Sequence, residues 1–316
     1  MGRHGGRIVT RAAIDIALAA WNGERYLPAM LDSIAGQTYR DWRLVVRDDG
    51  STDGTIAIIE AFARRFPNKV LLVKDGEGRL RATGNFAAAA RACDASYVAF
   101  ADQDDVWLPR KLELAMARMA ETERRHGVDV PVLVHTDLRV VDEELNEIAP
   151  SFVRHMKLDP VAGAKLERLV VRNIATGCTM LCNRALIDVA LPLPSGALLH
   201  DTWFALVAAC FGSISFVEEP TLLYRQHADN AVGAGGVWSV RRWGSVGVRE
   251  RVKRRYAQAR AMSDHFDGRL PAWSRAVLDD FAELEHQGLW KRALRMFRKG
   301  YRDHGLIRTA AAALLG

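Results

Sequence analysis

Four short apolar runs, separated by stretches of helical periodicity, set narrow limits on the fold. Ile14-Asp-Ile-Ala-Leu-Ala-Ala20 stops at Trp21-Asn22-Gly23, and Leu44-Val-Val46 stops at Asp48-Asp49-Gly50-Ser51. Val70 to Val73 is the third run, and Tyr97 to Ala101 the fourth, entering Asp102-Gln103-Asp104-Asp105. Between them Tyr26, Leu27, Met30, Leu31 and Ile34 recur at helical spacing. Ile56, Ile59, Phe62 and Phe66 share one helical face with Ser51 or Asp53 as candidate cap, and Thr83 to Cys93 reads as an alanine-rich helix. A β-α-β repeat at this spacing predicts an α/β chain with a mostly parallel, doubly wound sheet. Ligands in such sheets bind beyond the carboxyl ends of the strands. Asn22, Asp48, Asp49 and the Asp102 cluster all fall there.

The rest of the chain extends this pattern. A long helix is expected from Pro109 to about His126, then a strand at Val132 to His135. Short elements fill Ile148 to Pro194, Asp201 to Phe211 reads as an apolar helix, and Thr221 to Tyr224 as a strand. No apolar run reaches the ~18 to 20 residues of a membrane span. Arg3, Arg7 and Arg11 have no apolar block behind them, so no secretory signal is expected, and Gly6 breaks a myristoylation pattern. Cys93, Cys178, Cys182 and Cys210 lack paired spacing, as free thiols of a reducing cytosol do. A soluble cytosolic protein is expected.

Charge divides the 316 residues unevenly. From Arg241 onward there are 17 Lys plus Arg against 8 Asp plus Glu, so a net charge of +6 leaves −3 for the first 240 residues. A mildly acidic body with a basic tail suggests chemistry in one and attachment to an anionic partner in the other. Three segments follow: an extension over 1–13, a body over 14–235 and a basic helical region over 236–316, with Gly233-Ala-Gly-Gly236 as candidate hinge.

Asp102, Asp104 and Asp105 carry the strongest chemical signal. Two carboxylates ~5 Å apart repel by about 3 kcal/mol at an effective dielectric of ~20. A hard divalent cation, Mg²⁺ or Mn²⁺, removes that cost and suits an all-oxygen site; a solvated acidic turn is the plain alternative. Asp48-Asp49-Gly50-Ser51 is likewise open to two readings. Its carboxylates suit a base or ribose, and the same letters make an Asx turn and helix cap. No GxGxxG follows the first strand and no Walker A lysine loop occurs, which sets aside dinucleotide oxidoreductases and P-loop proteins.

Taken together, these residues resemble glycosyltransferase family 2, which has the GT-A fold. The resemblance runs from Ile16 to about Gly233. It rests on Ala20-Trp21-Asn22-Gly23 (the family more often has Thr-Tyr-Asn), Gln37-Thr38-Tyr39, Arg47-Asp-Asp-Gly-Ser51, Gly84-Asn85-Phe86 and Asp102-Gln-Asp-Asp-Val-Trp107. His135-Thr-Asp137, Thr176-Gly-Cys-Thr179, His200-Asp201-Thr202-Trp203 and Tyr224-Arg-Gln-His227 are most similar to the rhamnosyltransferase-like subgroup, which builds bacterial surface polysaccharides.

The resemblance implies a nucleoside-diphosphate sugar donor, dTDP-L-rhamnose or a UDP-sugar, and a single inverting displacement. It places the metal on Asp104 with Asp102, and the nucleotide sugar on Ala20, Asn22, Asp48, Asp49, Asn85, Asp102 and Gln103, with Arg81 nearby. Asp201 matches the catalytic base; His200 departs from the acidic residue usual before it. His200, Trp203, Arg225 and His227 fall on the acceptor or diphosphate side. The Gln-x-x-Arg-Trp of processive synthases does not occur, so transfer of one sugar is expected. A non-catalytic scaffold in glycan assembly and a sugar nucleotidyltransferase are the rival readings.

In the tail, Trp290, Leu294, Phe297 and Tyr301 fall within a stripe of about 60° on a helix. Lys291, Arg292, Arg295, Arg298, Lys299 and Arg302 lie on the flank away from it. Such a helix suits an anionic membrane surface and a lipid-linked acceptor at the inner face of the cell membrane; packing against the body is the alternative. No nucleic-acid module accompanies the charge, so no nucleic-acid partner is expected.

Overall fold

Apolar β1 (Ile14–Ala20) runs through the middle of a parallel half-sheet in the order β3-β2-β1-β4. The computed structural model describes residues 13–227 and 247–303. Its other parallel strands are β2 (Trp42–Asp48), β3 (Val70–Leu72) and β4 (Tyr97–Asp102). Register aligns Ala20 with Asp48 and Ala19 with Asp102, so β1, β2 and β4 end level. That alignment brings the turns after all three to one edge.

Both faces of β1 are covered. Ile14, Ile16 and Leu18 pack with α1 (Leu27–Ala35), α2 (Thr55–Arg65) and α4 (Lys111–His126), while Ala17 faces α3 (Arg81–Arg91). Buried Asp15 is satisfied by Arg43 at 2.7 and 2.8 Å and by the N–H groups of Asp94 and Ala95. Such partners are what make a buried carboxylate tolerable.

Beyond β4 the sheet becomes mixed. β5 (Val106–Trp107) forms its far edge, and β6 (Val132–Val141) carries the short β7 (Glu147–Ala149). Four-residue helices α5 (Phe152–His155), α6 (Pro160–Gly163) and α7 (Leu166–Leu169) lead to a 3-10 turn at Gly177–Thr179. β8 (Leu181–Asn183) then inserts antiparallel between β4 and β6. After α8 (Arg184–Ala190) and α9 (His200–Phe211), β9 (Ser213–Arg225) pairs parallel with β6. The sequence shows only fragments of β6 and β9. Thr136 and Asp137 in one, and Glu218 to Pro220 in the other, break the apolar pattern where the register shifts.

The basic region is built into the body's core. It forms α10 (Val248–His265), α11 (Ala272–Ala282) and α12 (Leu289–Lys299). Trp203 of α9 stacks on Phe266 at 5.9 Å, and Phe281 meets Tyr256 at 5.1 Å and Tyr301 at 5.3 Å. Trp203 was expected on the acceptor side; instead it lies wholly inside this core, its indole N–H donating to the Ala190 carbonyl at 2.9 Å. The tail helix also differs from its expected stripe. Trp290, Leu294 and Phe297 are 84%, 60% and 60% exposed, whereas Tyr301 is buried. Arg292 is buried too, donating to the carbonyls of Leu284 and Gln287 at 2.9 Å. The expected hinge at 233–236 and residues 1–12 lie outside the described residues. Among those described, no helix is long and apolar enough to cross a membrane.

Candidate active site

The level strand ends open into a cavity of about 1000 Å³. Asp49, Asp102, Asp104 and Asp201 all line it, although they come from three separate segments of the chain. Trp21 and Arg79 also line it, with the guanidinium 4.0 Å from the indole centre.

Asp49 is a hub. Its carboxylate accepts from Arg47 at 2.9 Å and from the N–H groups of Leu80 and Arg81 at 2.7 and 2.8 Å. Arg47, 2% exposed, also binds Asp75 at 2.7 Å and Asn85 at 3.1 Å, and Asn85 donates to the Ala20 carbonyl. These bonds, to Asp75 above all, offset burial and hold the Arg47 guanidinium charged. The network shapes the loop that carries Arg79 and Arg81. Gln103 fixes the opposite rim by accepting from Trp21 N–H and donating to its carbonyl, both at 2.9 Å.

Two expected residues of this end lie elsewhere. Asp48 does not line the cavity; its carboxylate accepts from the N–H groups of Gly50 and Ser51 at 3.0 and 2.8 Å, an Asx turn. Asn22 sits at φ 48° and accepts from Thr52 N–H at 2.9 Å, tying the β1 turn to the β2 turn. Both are architectural because the tight turns consume their side-chain acceptors.

The aspartate loop is electrostatically tense. Burial, with Asp104 and Asp201 adding like charge, pushes the Asp102 carboxyl up to about 7. Burial, with Asp104 and Asp102 adding like charge, raises Asp105 strongly. Ligand atoms of Asp102, Asp105 and Cys178 lie within 4.8 Å of one another. Burial and the adjacent aspartates keep the Cys178 thiol protonated, so the donors on offer are carboxylate oxygens. Lys111 below is too deeply buried to balance them fully; burial pulls its ammonium down to about 8. Excess carboxylate, oxygen donors and a cavity wall together fit a hard divalent cation.

Arg225 and His227 brace this loop from behind. Arg225 was expected on the acceptor or diphosphate side, yet it does not line the cavity. It donates from Nε to the Asp104 carbonyl at 2.9 Å and from its backbone N–H to Asp105 at 3.2 Å, with its guanidinium 4.8 Å from the Tyr26 ring centre. His227 Nε2 lies 2.8 Å from the Asp104 carboxylate.

Across the cavity, Asp201 occupies the first turn of α9. Burial pushes its carboxyl up to about 6, against hydrogen bonds from Thr202, Gly177 N–H and Asn173 that favour its charge. His200 stacks on Phe86 at 4.1 Å and touches Phe100 at 5.3 Å. Burial pulls its imidazole down to about 3, so it stands there neutral. Sequence reasoning gave no role to Arg79 or Arg172. Both line the cavity from irregular segments, where no periodicity singles out an arginine.

Comparison with known proteins bears on family and fold. The model of glycosyl transferase family 2 matches residues 15–188. A putative glycosyltransferase EpsE of Bacillus subtilis is 33% identical over 131 residues, 41% of this chain and 44% of that one. An uncharacterized glycosyltransferase of Nostoc is 27% identical over 69% of this chain and 66% of its own length. The dTDP-rhamnosyl transferase RfbG of Shigella flexneri is 26% identical over 69% of this chain and 74% of that one. This chain thus spans less than two thirds of the first two relatives.

Among solved structures, residues 1–349 of S. aureus TarS superpose with a TM-score of 0.54 at 16% identity, covering 95% of this chain and 90% of that one. Mannosyltransferase PcManGT of Pyrobaculum calidifontis, in complex with GDP-Man and Mn²⁺, gives 0.58 at 19% identity, covering 96% and 74%. The fold is GT-A. With more than half of its residues matched by the family, and the strand-end aspartates in one cavity, the chain belongs to glycosyltransferase family 2.

Proposed function

We propose that this protein transfers one sugar from a nucleoside-diphosphate sugar to a hydroxyl of a lipid-linked glycan, with inversion at the anomeric carbon. The observation that carries the reading is the convergence of Asp49, Asp102, Asp104 and Asp201 on one cavity. Trp21 and Arg79 offer flat faces for a nucleobase at the rim. Asp104 and Asp102 would hold Mg²⁺ or Mn²⁺, with His227 beside Asp104. Such an ion, when bound, neutralises the leaving diphosphate. Asp201 takes the proton of the acceptor hydroxyl as its oxygen bonds to the anomeric carbon and the bond to the diphosphate breaks. Neutral His200, packed between Phe86 and Phe100, helps to set the position of Asp201.

The RfbG match favours dTDP-L-rhamnose as donor, with UDP-sugars as the other class to test. The exposed apolar face of α12, flanked by exposed Lys291, Arg298 and Lys299, supports docking on an anionic membrane at its inner face.

Thermal melts with dTDP, UDP, GDP and their sugars, each with and without Mn²⁺, test the donor site. One nucleotide with Mn²⁺ should stabilise the protein, by about 2.7 kcal/mol at a hundredfold excess over Kd. Asp104→Ala should lose that shift. Failure of every nucleotide, or release of pyrophosphate in place of a nucleoside diphosphate, would overturn the reading.

A further inference from the structure

A second cavity, of about 520 Å³, lies apart from the aspartates. Its walls are His135 of β6, Ile214 and Phe216 of β9, and Pro160, Val161 and Ala164 at α6. The two cavities share none of their described lining residues. One segment nevertheless serves both: Leu158 lines the catalytic cavity and Pro160 the second, and two residues of chain span at most about 7 Å.

His135 is 2% exposed, and its Nε2 has no hydrogen-bond partner among the described residues. Burial pulls the imidazole down to about 3, so it is neutral, with one donor and one acceptor nitrogen. A buried polar atom left unpaired is costly, and a ligand that pairs with it removes the cost. The ring meets Phe216 at 4.9 Å. Other polar groups of the lining are engaged or balanced. Ser215 Oγ lies 2.8 Å from Thr122 Oγ1, and Arg118, paired with Glu121 at 3.1 Å, stands with Glu218 as one charge of each sign. Beside them, β9 pairs with β6 along Ser213–Val217 but meets β5 only at Leu222 and Leu223, so no described strand covers its outer edge there.

These features select a neutral ligand. A lining without net charge does not concentrate an ion. Its aromatic and aliphatic walls suit C–H faces, and the unpaired nitrogen and strand edge suit hydroxyls. A pyranose presents both, and the volume falls within the roughly 300 to 1,000 Å³ of small-molecule sites. We propose that this cavity is a saccharide site, holding a neutral sugar unit of the acceptor glycan set back from the hydroxyl that reacts. His135 Nε2 bonds a sugar hydroxyl, and the face of Phe216, negative at its centre, takes the C–H side of the ring. The inference rests on the transferase reading and goes beyond it, since bond exchange at the anomeric carbon needs nothing from this cavity.

NMR titration of the full chain with L-rhamnose, D-glucose, D-galactose and N-acetyl-D-glucosamine tests the site, followed at the His135 ring nitrogens and the Ile214 methyl groups. At least one sugar should move both signals, and open-chain mannitol should move neither. His135→Phe keeps a flat ring without the unpaired nitrogen, and Phe216→Leu keeps apolar bulk without the aromatic face. Each should weaken the sugar at least fivefold at the Ile214 signal. Mn²⁺-dependent nucleoside diphosphate binding should change less than twofold in both. Silence with all four sugars, an equal response to mannitol, or unchanged sugar affinity in both variants overturns the saccharide site and leaves the donor reading standing. A sugar response in a protein that binds no nucleotide would instead sink the donor reading and keep the site.

Discussion

In the reaction proposed above Asp201 accepts a proton, yet burial works against its charge. Its carboxyl lies at about 6, above the ordinary aspartate value near 4. The base form therefore fills only as pH rises through 6, and kcat/KM should fall about tenfold per pH unit below that point and level off above it. Asp201→Asn should lower kcat by about 10²- to 10⁴-fold while leaving nucleotide affinity nearly unchanged. The stability sign runs the other way. A carboxyl raised in the folded state contributes stability that is complete below about pH 4 and lost as pH rises through 6. Asp201→Asn should therefore raise the melting temperature of the ligand-free protein at pH 8 and barely move it at pH 4. A pH-independent rate, or a variant no more stable at pH 8, would remove Asp201 from this role. Residue letters singled out Asp102 and Asp104, because carboxylates at strand ends have few other reasons to cluster, and the family resemblance added Asp201; all three line the cavity. Letters alone could not separate Asp49 from Asp48, or Asp201 from Trp203. Neighbours in sequence point to opposite sides of a turn or helix, and only packing decides which faces the cavity.

Elements carry the next constraints. The turn at Gly177–Thr179 crosses directly over α9, and a Cβ on Gly177 would sit 2.8 Å from His200 Nε2. His200 cannot retreat because Phe86 and Phe100 hold its ring. Gly177→Ala should thus cost about 1 to 3 kcal/mol and lower kcat by shifting Asp201, read together from thermal melts and turnover. Unchanged values in both would show that the turn moves freely. α12 makes a separate claim. With three exposed basic residues near an anionic surface, each worth about 1 kcal/mol, replacing Lys291, Arg298 and Lys299 by Glu should weaken vesicle binding about a hundredfold or more. Trp290→Ser with Phe297→Ser should abolish it, and neutral phosphatidylcholine vesicles should bind poorly. Equal sedimentation with neutral and anionic vesicles would overturn this docking. Helical periodicity made the amphipathic face legible beforehand. The burial of Arg292 and Tyr301 was not, since it depends on carbonyls of Leu284 and Gln287 and rings of α11 that periodicity cannot place.

At the scale of the molecule, the change in charge near Arg241 suggested a body with a tail, and the packing argues for one cooperative unit. Phe266 stacks on Trp203 and meets Phe211 at 4.9 Å; Tyr256, Leu278, Phe281, Met296 and Tyr301 complete the same core. Burying one large apolar side chain contributes about 1.5 to 3 kcal/mol, so withdrawing these six would cost about as much as the roughly 5 to 15 kcal/mol by which a typical domain is stable. Charge patterning reports solvent faces and says little about which apolar residues meet beneath them, which explains why the sequence divided what packing joins. The full chain should unfold in one calorimetric transition. Phe266→Ala should lower that whole transition by about 3 to 5 kcal/mol, with nucleotide binding and native near-ultraviolet dichroism lost together. A chain ended at residue 246 should expose Trp203, bind a hydrophobic dye and fail to recover nucleotide binding. Two separate transitions, or a truncated body that still binds nucleotide with Mn²⁺ at full affinity, would restore the tail to an independent appendage.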